Sequence, residues 1–116
     1  MLEKIDVGID VVEIKKFQEK AFEKNVSFYE KIFNKNEIEY CLKFKDSYKH
    51  FAAKFAVKEA LKKAIKEPIE FLDIITDHNN HKPTVNFKGN KKYLLKTSLS
   101  HENNVAVAIV ISEIKK

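Results

Sequence analysis

The segment VAVAIVI, from Val105 to Ile111, restricts the fold more than any other part of the chain. Its β-branched residues favour a strand. Because a strand places alternate side chains on opposite faces, this one is apolar on both. A strand of this kind must be covered on each side. We therefore predict that it lies in the interior of a sheet or at a subunit contact.

A second strand is predicted from the period-two pattern of residues 5–12, IDVGIDVV. Asp10 stands near its end, on the same face as Asp6, with Gly8 between them. We interpret the Asp10 carboxylate either as a solvated group or as a cation ligand beside a glycine gap that admits a ligand. The acidic face consists of Asp6, Gly8, Asp10 and Val12, and the apolar face of Ile5, Val7, Ile9 and Val11.

A long helix is predicted over residues 50–66, which are rich in Ala, Lys and Leu and are followed by Pro68. Three short helices are predicted before it. The first follows Glu13 and has an apolar and a basic stripe, and the other two begin at capping-box pairs. The apolar stripe is Ile14, Phe17, Ala21 and Phe22, the basic stripe is Lys16, Lys20 and Lys24, and the pairs are Ser27 with Glu30 and Asn36 with Glu39.

Three more strands are predicted between the long helix and the final strand. They are residues 71–76, 84–87 and 94–100, separated by the loop DHNNHKP (77–83), the turn 88–92 and the turn HENN (101–104). Because many of these connections are too short for helical crossovers, the sheet should be mostly antiparallel. The prediction is a single α+β domain over residues 1–116, with the sheet packed against one long and several short helices.

The charge of the chain comes from 22 lysines and no arginine, against 17 acidic residues, for a net charge of +5. A phosphate would therefore be held by lysine ammonium groups, backbone N–H groups or a metal, without a guanidinium fork. The excess predicts an anionic partner, either a nucleic acid, a phosphorylated small molecule or an acidic protein. A lysine-rich solvated surface is the alternative.

No apolar run approaches the roughly 18 residues of a membrane span, and the first residues, MLEKIDVG, contain acids where a signal peptide would be apolar. We therefore expect a cytoplasmic protein with no membrane segment. The single cysteine, Cys41, can form no internal disulfide and has no zinc pattern around it. It is predicted to be a structural helix residue.

One acid in the long helix has an unusual position. Stepping by four from Phe51 gives Phe55, Glu59 and Lys63, so the carboxylate continues a ridge of phenylalanines. At the edge of an apolar face its desolvation must be offset by a cation. Lys63 could supply that cation, and so could a metal.

The segment SLSH places Ser98, Ser100 and His101 where a strand meets a turn. No G-x-S-x-G elbow surrounds either serine, so a turn that contacts a ligand is favoured over a serine nucleophile. Phosphate loops of the G-x-x-x-x-G-K-[ST] and G-x-G-x-x-G types are missing too. A phosphate site would need lysine and a metal, and two separated carboxylates completed by phosphate oxygens and water suit Mg²⁺.

In combination, these motifs resemble the holo-(acyl-carrier-protein) synthases, the small 4'-phosphopantetheinyl transferases. The segments that carry the resemblance are GIDVVEIKKF (8–17), FAAKFAVKEALKKA (51–64), HKP (81–83), SLSH (98–101) and VAVAIVI (105–111). The similarity extends over nearly the whole chain. It implies the 4'-phosphopantetheinyl transferase fold.

The activity implied by this resemblance is transfer of the phosphopantetheine arm of coenzyme A to a serine of apo acyl carrier protein, for fatty acid biosynthesis. Adenosine 3',5'-bisphosphate would be released, and the reaction would need Mg²⁺, for which Mn²⁺ can substitute. Asp10 and Glu59 would bind the metal, and Lys58 and Lys63 would contact the pyrophosphate. Either Glu59 or a metal-bound water would take the serine proton.

The same resemblance implies a pocket for the adenosine and the 3'-phosphate, lined by Lys54, Lys82, Pro83 and His101. It also implies a homotrimer with active sites between neighbouring subunits, which would cover the apolar final strand. The basic stripe would face the acidic recognition helix of the carrier protein.

The chain departs from the family pattern at several positions. Lys54 stands at a basic position before the helix phenylalanine that is commonly arginine in the family, and Lys16 at another basic position on the first helix, so neither supplies a bidentate contact. The segment KEPIEF (66–71) replaces a glycine-rich loop, and His81 and Glu102 replace a glycine and a threonine. None of these changes involves the predicted metal ligands.

Three other functions are compatible with parts of the pattern. A small basic nucleic-acid-binding domain would account for the charge, although no strand has the aromatic residues typical of RNA-binding sheets. A metal-dependent phosphohydrolase would use the same carboxylates without a protein acceptor. A structural oligomer would account for the apolar final strand alone.

Overall fold

A computed structural model describes residues 2–116 of the chain. The helices are α1 (Lys15–Gln18), α2 (Val26–Glu30), α3 (Lys35–Leu42) and α4 (Ser47–Ala64). The strands are β1 (Ile5–Glu13), β2 (Ile74–Asn79), β3 (Lys82–Phe87), β4 (Tyr93–Glu102) and β5 (Val105–Ile114). Short 3₁₀ helices are formed by Leu2–Lys4, Phe22–Lys24 and Phe71–Asp73. Among residues 2–116, no helix has both the length and the apolar character needed to cross a membrane.

The strands form two antiparallel sheets, one of order β1-β5-β4 and one consisting of the β2-β3 hairpin. β5 is the central strand of the larger sheet, which confirms the prediction made from its two apolar faces. Helix α4 packs across β1 and β5 on one side of this sheet. A group of aromatic rings between the short helices and α4 makes up much of the core, and Phe17, Tyr29 and Phe51 in it are fully buried.

Gly8 is the point of closest approach between β1 and α4. A Cβ atom at this position would lie 2.0 Å from the carbonyl oxygen of Ala60 and 2.9 Å from the backbone nitrogen of Ala64. The interpretation of Gly8 as a gap that admits a ligand is therefore wrong, because the backbone of α4 fills the space. The missing side chain serves instead to bring the acidic face of β1 onto the helix.

Replacing Gly8 by alanine should lower the free energy of unfolding by about 3 kcal/mol, because β1 and α4 would have to move apart. Urea unfolding measures this change. Gly89→Asn is the matched control, since Gly89 has open space around it and a φ of +77° that asparagine tolerates. Equal stability of Gly8→Ala and the unsubstituted protein would show that β1 and α4 are not in direct contact.

The helix starts differ from the predicted ones. The capping box of α3 is formed by Asn34 and Glu37, so the prediction of Asn36 with Glu39 is wrong by two residues. Helix α2 begins after Asn25 without a side-chain cap, so the Ser27 and Glu30 pair is wrong as well. Capping spacings recur often in a chain rich in Asn and Glu, and tertiary packing selects among them.

The predicted loop 77–83 is mostly strand. Only Asn80 and His81 form its turn, with φ of 51° and 67°, and Pro83 already pairs with His78. Two left-handed residues in succession make the tight hairpin turn that asparagine tolerates. Similarly, β4 continues through His101 to Glu102, so all of SLSH lies in the strand, which ends one residue beyond it.

One face of the larger sheet is apolar and open. Ile9 and Val11 of β1 are 56% and 62% exposed, Ile111 of β5 is 45% exposed, and Leu94 of β4 is 55% exposed. This is the face opposite to α4, and the acidic face of β1 is the covered one. An apolar area of this kind on a small protein is typical of a contact surface.

Candidate metal and nucleotide site

The ridge along α4 becomes more exposed from its N-terminal to its C-terminal end. Phe51 and Phe55 are buried, Glu59 is half-buried and Lys63 is exposed. The carboxylate of Glu59 therefore lies at the edge of the core, as the spacing predicts. It continues the buried ridge onto the protein surface.

Asp10 and Glu59 lie in one cavity of about 280 Å³, although they are far apart in sequence. The cavity is lined by Asp10, Val11, Val12, Glu13, Lys16, Phe55 and Glu59. The Asp10 side chain is 15% exposed. The close contact at Gly8 explains why Asp10 and Glu59 lie together, because it holds β1 directly against α4.

Lys63 binds Asp10 rather than Glu59. Its Nζ donates to Asp10 Oδ1 at 3.2 Å and to the carbonyl oxygen of Ile9 at 2.9 Å. The expected pair of Glu59 with Lys63 is not formed, because β1 offers Lys63 two acceptors and the helix offers one. No residue among 2–116 forms an ion pair with Glu59. The Glu59 carboxylate and the second oxygen of Asp10 thus remain for a further cation.

This donor set fits Mg²⁺. Two carboxylates provide the hard oxygen ligands that this ion prefers, and Mg²⁺ usually takes its remaining ligands from substrate phosphates and water. The residues described, 2–116, contain no group of three or more His, Cys, Asp and Glu side chains arranged around one metal position. The site is thus suited to an ion that arrives with a phosphorylated ligand, and not to a metal held by protein alone.

Lys58 lies in the core, away from this cavity. Its Nζ donates to Glu37 Oε1 at 2.7 Å and to the carbonyl oxygens of Ile32 and Phe71 at 2.8 and 3.0 Å. Its side chain is 0% exposed. The predicted contact with pyrophosphate is at odds with this position, because all three donors of the ammonium group are used inside the protein.

Glu37 is a buried residue that the sequence did not single out. Besides Lys58, its carboxylate accepts hydrogen bonds from the backbone nitrogen and the hydroxyl of Thr76 at 2.8 and 2.6 Å. It also receives the backbone N–H of Asn34 in the capping box. Correct placement of that box in the sequence would have located Glu37, but not its burial.

Lys54 is also turned inward. Its ammonium group donates to the hydroxyl of Thr76 at 3.1 Å and lies over the ring of Tyr40. The residue as a whole is 4% exposed. The Thr76 hydroxyl donates to Glu37 and can therefore accept from Lys54. Burial lowers the pKa of Lys54, and the nearby Cys41 and Glu37 oppose this change. Cys41 itself is buried in α3, and burial raises the pKa of its thiol to about 12.

Five rings form what we call the imidazole cluster: Tyr40, Phe44, His50, His78 and His101. The ring of His50 stacks on Phe44 at 3.7 Å and lies 6.3 Å from His101. His78 stacks on Tyr40 at 4.8 Å. Burial lowers the pKa of His50 and of His78, and neighbouring positive groups add to the effect. Both imidazoles are therefore mainly neutral at neutral pH.

The four residues expected around the nucleotide are only partly brought together. Three of them lie next to members of the imidazole cluster. Lys54 contacts the ring of Tyr40, Pro83 pairs with His78 across the hairpin, and His101 lies beside His50. Lys82 is exposed and lines a cleft of about 760 Å³ between the β2-β3 hairpin and β4, as does Pro83. Neither Lys54 nor His101 lies in that cleft.

Comparison with protein families finds a match over residues 6–110 to the 4'-phosphopantetheinyl transferase superfamily. A holo-(acyl-carrier-protein) synthase of Clostridium kluyveri is 39% identical, over 95% of this chain and 90% of the relative.

Solved structures give the same result. A holo-(acyl-carrier-protein) synthase from Bacillus anthracis, in complex with CoA (3',5'-ADP), superposes with a TM-score of 0.80 and 27% identity over 95% of this chain and 96% of the other. The corresponding values for the enzyme of Helicobacter pylori in complex with coenzyme A are 0.78 and 29%, over 92% and 99%. These matches confirm the predicted α+β fold and the resemblance seen in the motifs.

Proposed function

Because the chain belongs to the 4'-phosphopantetheinyl transferase superfamily, we propose that it is a holo-(acyl-carrier-protein) synthase that uses coenzyme A and Mg²⁺. The observation that carries the proposal is the meeting of Asp10 and Glu59 in one cavity, next to Lys63. Of the other functions considered, a nucleic-acid-binding domain would not account for the two carboxylates of Asp10 and Glu59 in one cavity next to Lys63. The phosphohydrolase alternative is disfavoured by the family match.

In the proposed reaction the hydroxyl oxygen of a carrier-protein serine attacks the phosphorus that bears the pantetheine arm. The new serine O–P bond forms while the P–O bond of the pyrophosphate bridge breaks. The leaving group is adenosine 3',5'-bisphosphate, which retains the bridging oxygen and its electron pair. The serine proton passes to a base, and the net reaction consumes no oxidant or reductant.

Asp10 and Glu59 would hold the metal in this reaction. When bound, Mg²⁺ supplies positive charge that neutralises the pyrophosphate oxygens. Lys63 is held beside Asp10 by its bonds to Asp10 and Ile9, so its ammonium group is placed to stabilise the negative charge of the leaving bisphosphate. Glu59 has no partner among residues 2–116 that would compete for it, and it is our candidate to accept the serine proton.

The nucleotide end of coenzyme A is proposed to lie near the imidazole cluster, with His101, Lys82 and Pro83 as contacts. His101 and Lys82 are exposed and can reach a ligand. Lys54 would not contact the nucleotide directly, because its ammonium is buried; it would support the imidazole cluster through its contact with the Tyr40 ring. Lys58 has no part in ligand binding in this proposal, since its donors are used in the core.

A homotrimer with its active sites between subunits is part of the proposal. The open apolar face of β1 and β5 supports it, since Val11 and Ile111 are exposed in a single chain and Val11 also lines the Asp10 cavity. Light scattering should give three times the 13.5 kDa of one chain. A monomeric mass at micromolar concentration would contradict the assembly.

The basic stripe is the proposed docking surface for the acidic carrier protein of fatty acid biosynthesis. Its lysines do not share one helix as predicted, because α1 ends at Gln18 and Lys24 belongs to the 3₁₀ helix Phe22–Lys24. Lys20 and Lys24 are both exposed, and the Lys20 ammonium lies 5.0 Å from the centre of the Phe28 ring. Lys16 reaches over Phe55 into the metal cavity, so it is close to both sites.

We also place the enzyme in the cytoplasm, a reducing compartment in which the free thiol of Cys41 is expected.

Replacing Lys20 and Lys24 by glutamate should raise the KM for carrier protein about tenfold and leave the KM for coenzyme A unchanged, because only the protein substrate meets this surface. Steady-state kinetics with each substrate varied in turn measures both values. The double variant Lys88→Glu with Lys91→Glu, in the exposed turn between β3 and β4, is the charge-matched control. An equal rise in both KM values would argue against a docking role.

The function itself is tested by the mass of the carrier protein. Incubation of apo acyl carrier protein with the enzyme, fresh coenzyme A and Mg²⁺ should add one phosphopantetheine group and release adenosine 3',5'-bisphosphate in equal amount. Carrier proteins from other pathways, assayed in parallel, define the acceptor range. An unchanged carrier mass in the presence of folded enzyme would exclude the proposed function.

A further inference from the structure

A ligand phosphate near His101 lacks the cation that Lys54 was expected to provide. The Lys54 ammonium is committed to Thr76 and Tyr40, and the residue is 4% exposed. His50 lies one helical turn before it on the same face of α4. Both side chains contact the ring of Tyr40, but His50 is only half-buried and lies beside His101.

His50 is half-buried and has a fixed orientation. Its ring stacks on Phe44 with an interplanar angle of 20° and faces His101 at 71°, with 6.3 Å between the ring centres. A flat aromatic partner stabilises an imidazolium ion when one forms. Because His101 is on β4 and His50 on α4, the two imidazoles approach the same surface from different elements.

The groups around His50 are mostly basic. Lys49 on its own helix, His101 on β4 and His78 on β2 all disfavour a proton on His50, whereas Asp46 before the helix favours one. Burial has the same sign as the three basic neighbours and is the largest influence on its pKa. An anion that contacts both His50 and His101 at the surface would reverse this balance.

We propose that His50 is a second imidazole of the site for the 3'-phosphate of coenzyme A, and that it takes up a proton when that phosphate binds. The inference rests on the proposed function, in which His101 contacts the nucleotide. It adds a specificity-determining residue, because a ligand without the 3'-phosphate has no negative charge there to stabilise the protonated form of His50. A charge-assisted hydrogen bond from the His50 imidazolium would replace part of the bidentate contact of an arginine.

The sign of the pH dependence follows from this proposal. His50 is neutral in the free protein at neutral pH and charged in the complex, so binding consumes a proton. Affinity for coenzyme A should therefore fall as the pH rises from about 6.5 to 8.5, a range over which a phosphate monoester stays mainly dianionic. Dephospho-coenzyme A, which has no 3'-phosphate, should show little of this dependence.

Isothermal titration calorimetry of the full chain with Mg²⁺ tests these expectations. At pH 6.5 coenzyme A should bind about tenfold more tightly than dephospho-coenzyme A, and at pH 8.5 the preference should fall to about threefold or less. At pH 7.5, buffers with different ionisation enthalpies should reveal more proton uptake with coenzyme A than with dephospho-coenzyme A.

Two variants separate the role of charge from that of shape. His50→Gln should remove most of the preference and its pH dependence, whereas His50→Lys should keep the preference but make it independent of pH. His81→Asn is the matched control, because it removes an exposed imidazole from a left-handed turn position that asparagine tolerates. Circular dichroism checks that each variant is folded. If a variant is not folded, the pH dependence of the preference measured with the wild-type protein tests the inference.

A preference for coenzyme A that does not change with pH, or that His50→Gln leaves intact, would overturn the inference while the proposed function stands. Equal binding of both ligands by the wild-type protein would overturn it too. Failure of the wild-type protein to bind either ligand would instead overturn the proposed function, and the inference with it.

Discussion

Replacing Asp10 by asparagine should reduce kcat for phosphopantetheine transfer by about a thousandfold, with little change in stability. The amide keeps the shape of the side chain and an oxygen that can accept the hydrogen bond of Lys63, now 3.2 Å away. What it removes is the negative charge that a divalent cation needs. Glu59→Gln should have a similar effect, because it removes the other carboxylate of the same cavity.

Three measurements define this result. Transfer is followed by the mass of the carrier protein, Mg²⁺ binding by calorimetry with coenzyme A present, and stability by urea unfolding. Asp6→Asn is the matched control, since Asp6 is on the same face of β1 but exposed, with its carboxylate bonded to the backbone of Val7. Near-normal turnover of either cavity variant would show that the metal is bound elsewhere.

Replacing Lys58 by methionine should lower the free energy of unfolding by about 3 to 5 kcal/mol. The Glu37 carboxylate would stay buried without its 2.7 Å ammonium partner, and the carbonyl oxygens of Ile32 and Phe71 would each lose a donor. Burial lowers the pKa of Lys58, and the Glu37 charge opposes this, so the pair holds its charge only as long as both partners remain. Urea unfolding measures the loss.

Lys62→Met provides the matched control on the same helix. Its ammonium lies over the ring of Phe71 at 3.7 Å and is partly exposed, so its loss should cost about 1 kcal/mol or less. The double variant Lys58→Met with Glu37→Gln should recover part of the stability, because no unpaired charge is then buried. A fully stable Lys58→Met protein would return Lys58 to the list of candidate phosphate ligands.

Local patterns predicted the elements of the fold with fair accuracy. The two-faced apolar run does form the central strand, the long helix is present as Ser47–Ala64, and every predicted strand exists, with shifts of a few residues at its ends. The errors fall at caps and turns, such as the Asn34 and Glu37 box and the Asn80–His81 turn. At those places several short sequence signals compete, and the energy differences among them are small.

Site residues were predictable to the extent that their partners are near in sequence. The ridge from Phe51 to Glu59 lies on one helix, so its periodicity was sufficient to place the acid at the edge of the core. Lys58 shows the limit, because its neighbours Glu37, Ile32 and Phe71 come from three separate segments. A lysine in a helix that is otherwise rich in lysine gives no sign that it alone is buried.

By itself the sequence determined the periodicity of the elements, the family and the two acids of the cavity, because each depends on spacing along the chain or on motifs of a few residues. Only the tertiary structure decided which lysine faces which acid, and which lysines reach a ligand. Lys63 pairs with Asp10 and not with Glu59, Lys54 and Lys58 turn inward, and His50 meets His101. The physical reason is that a lysine side chain is long and flexible, so its partner depends on which acceptors other segments place within its reach.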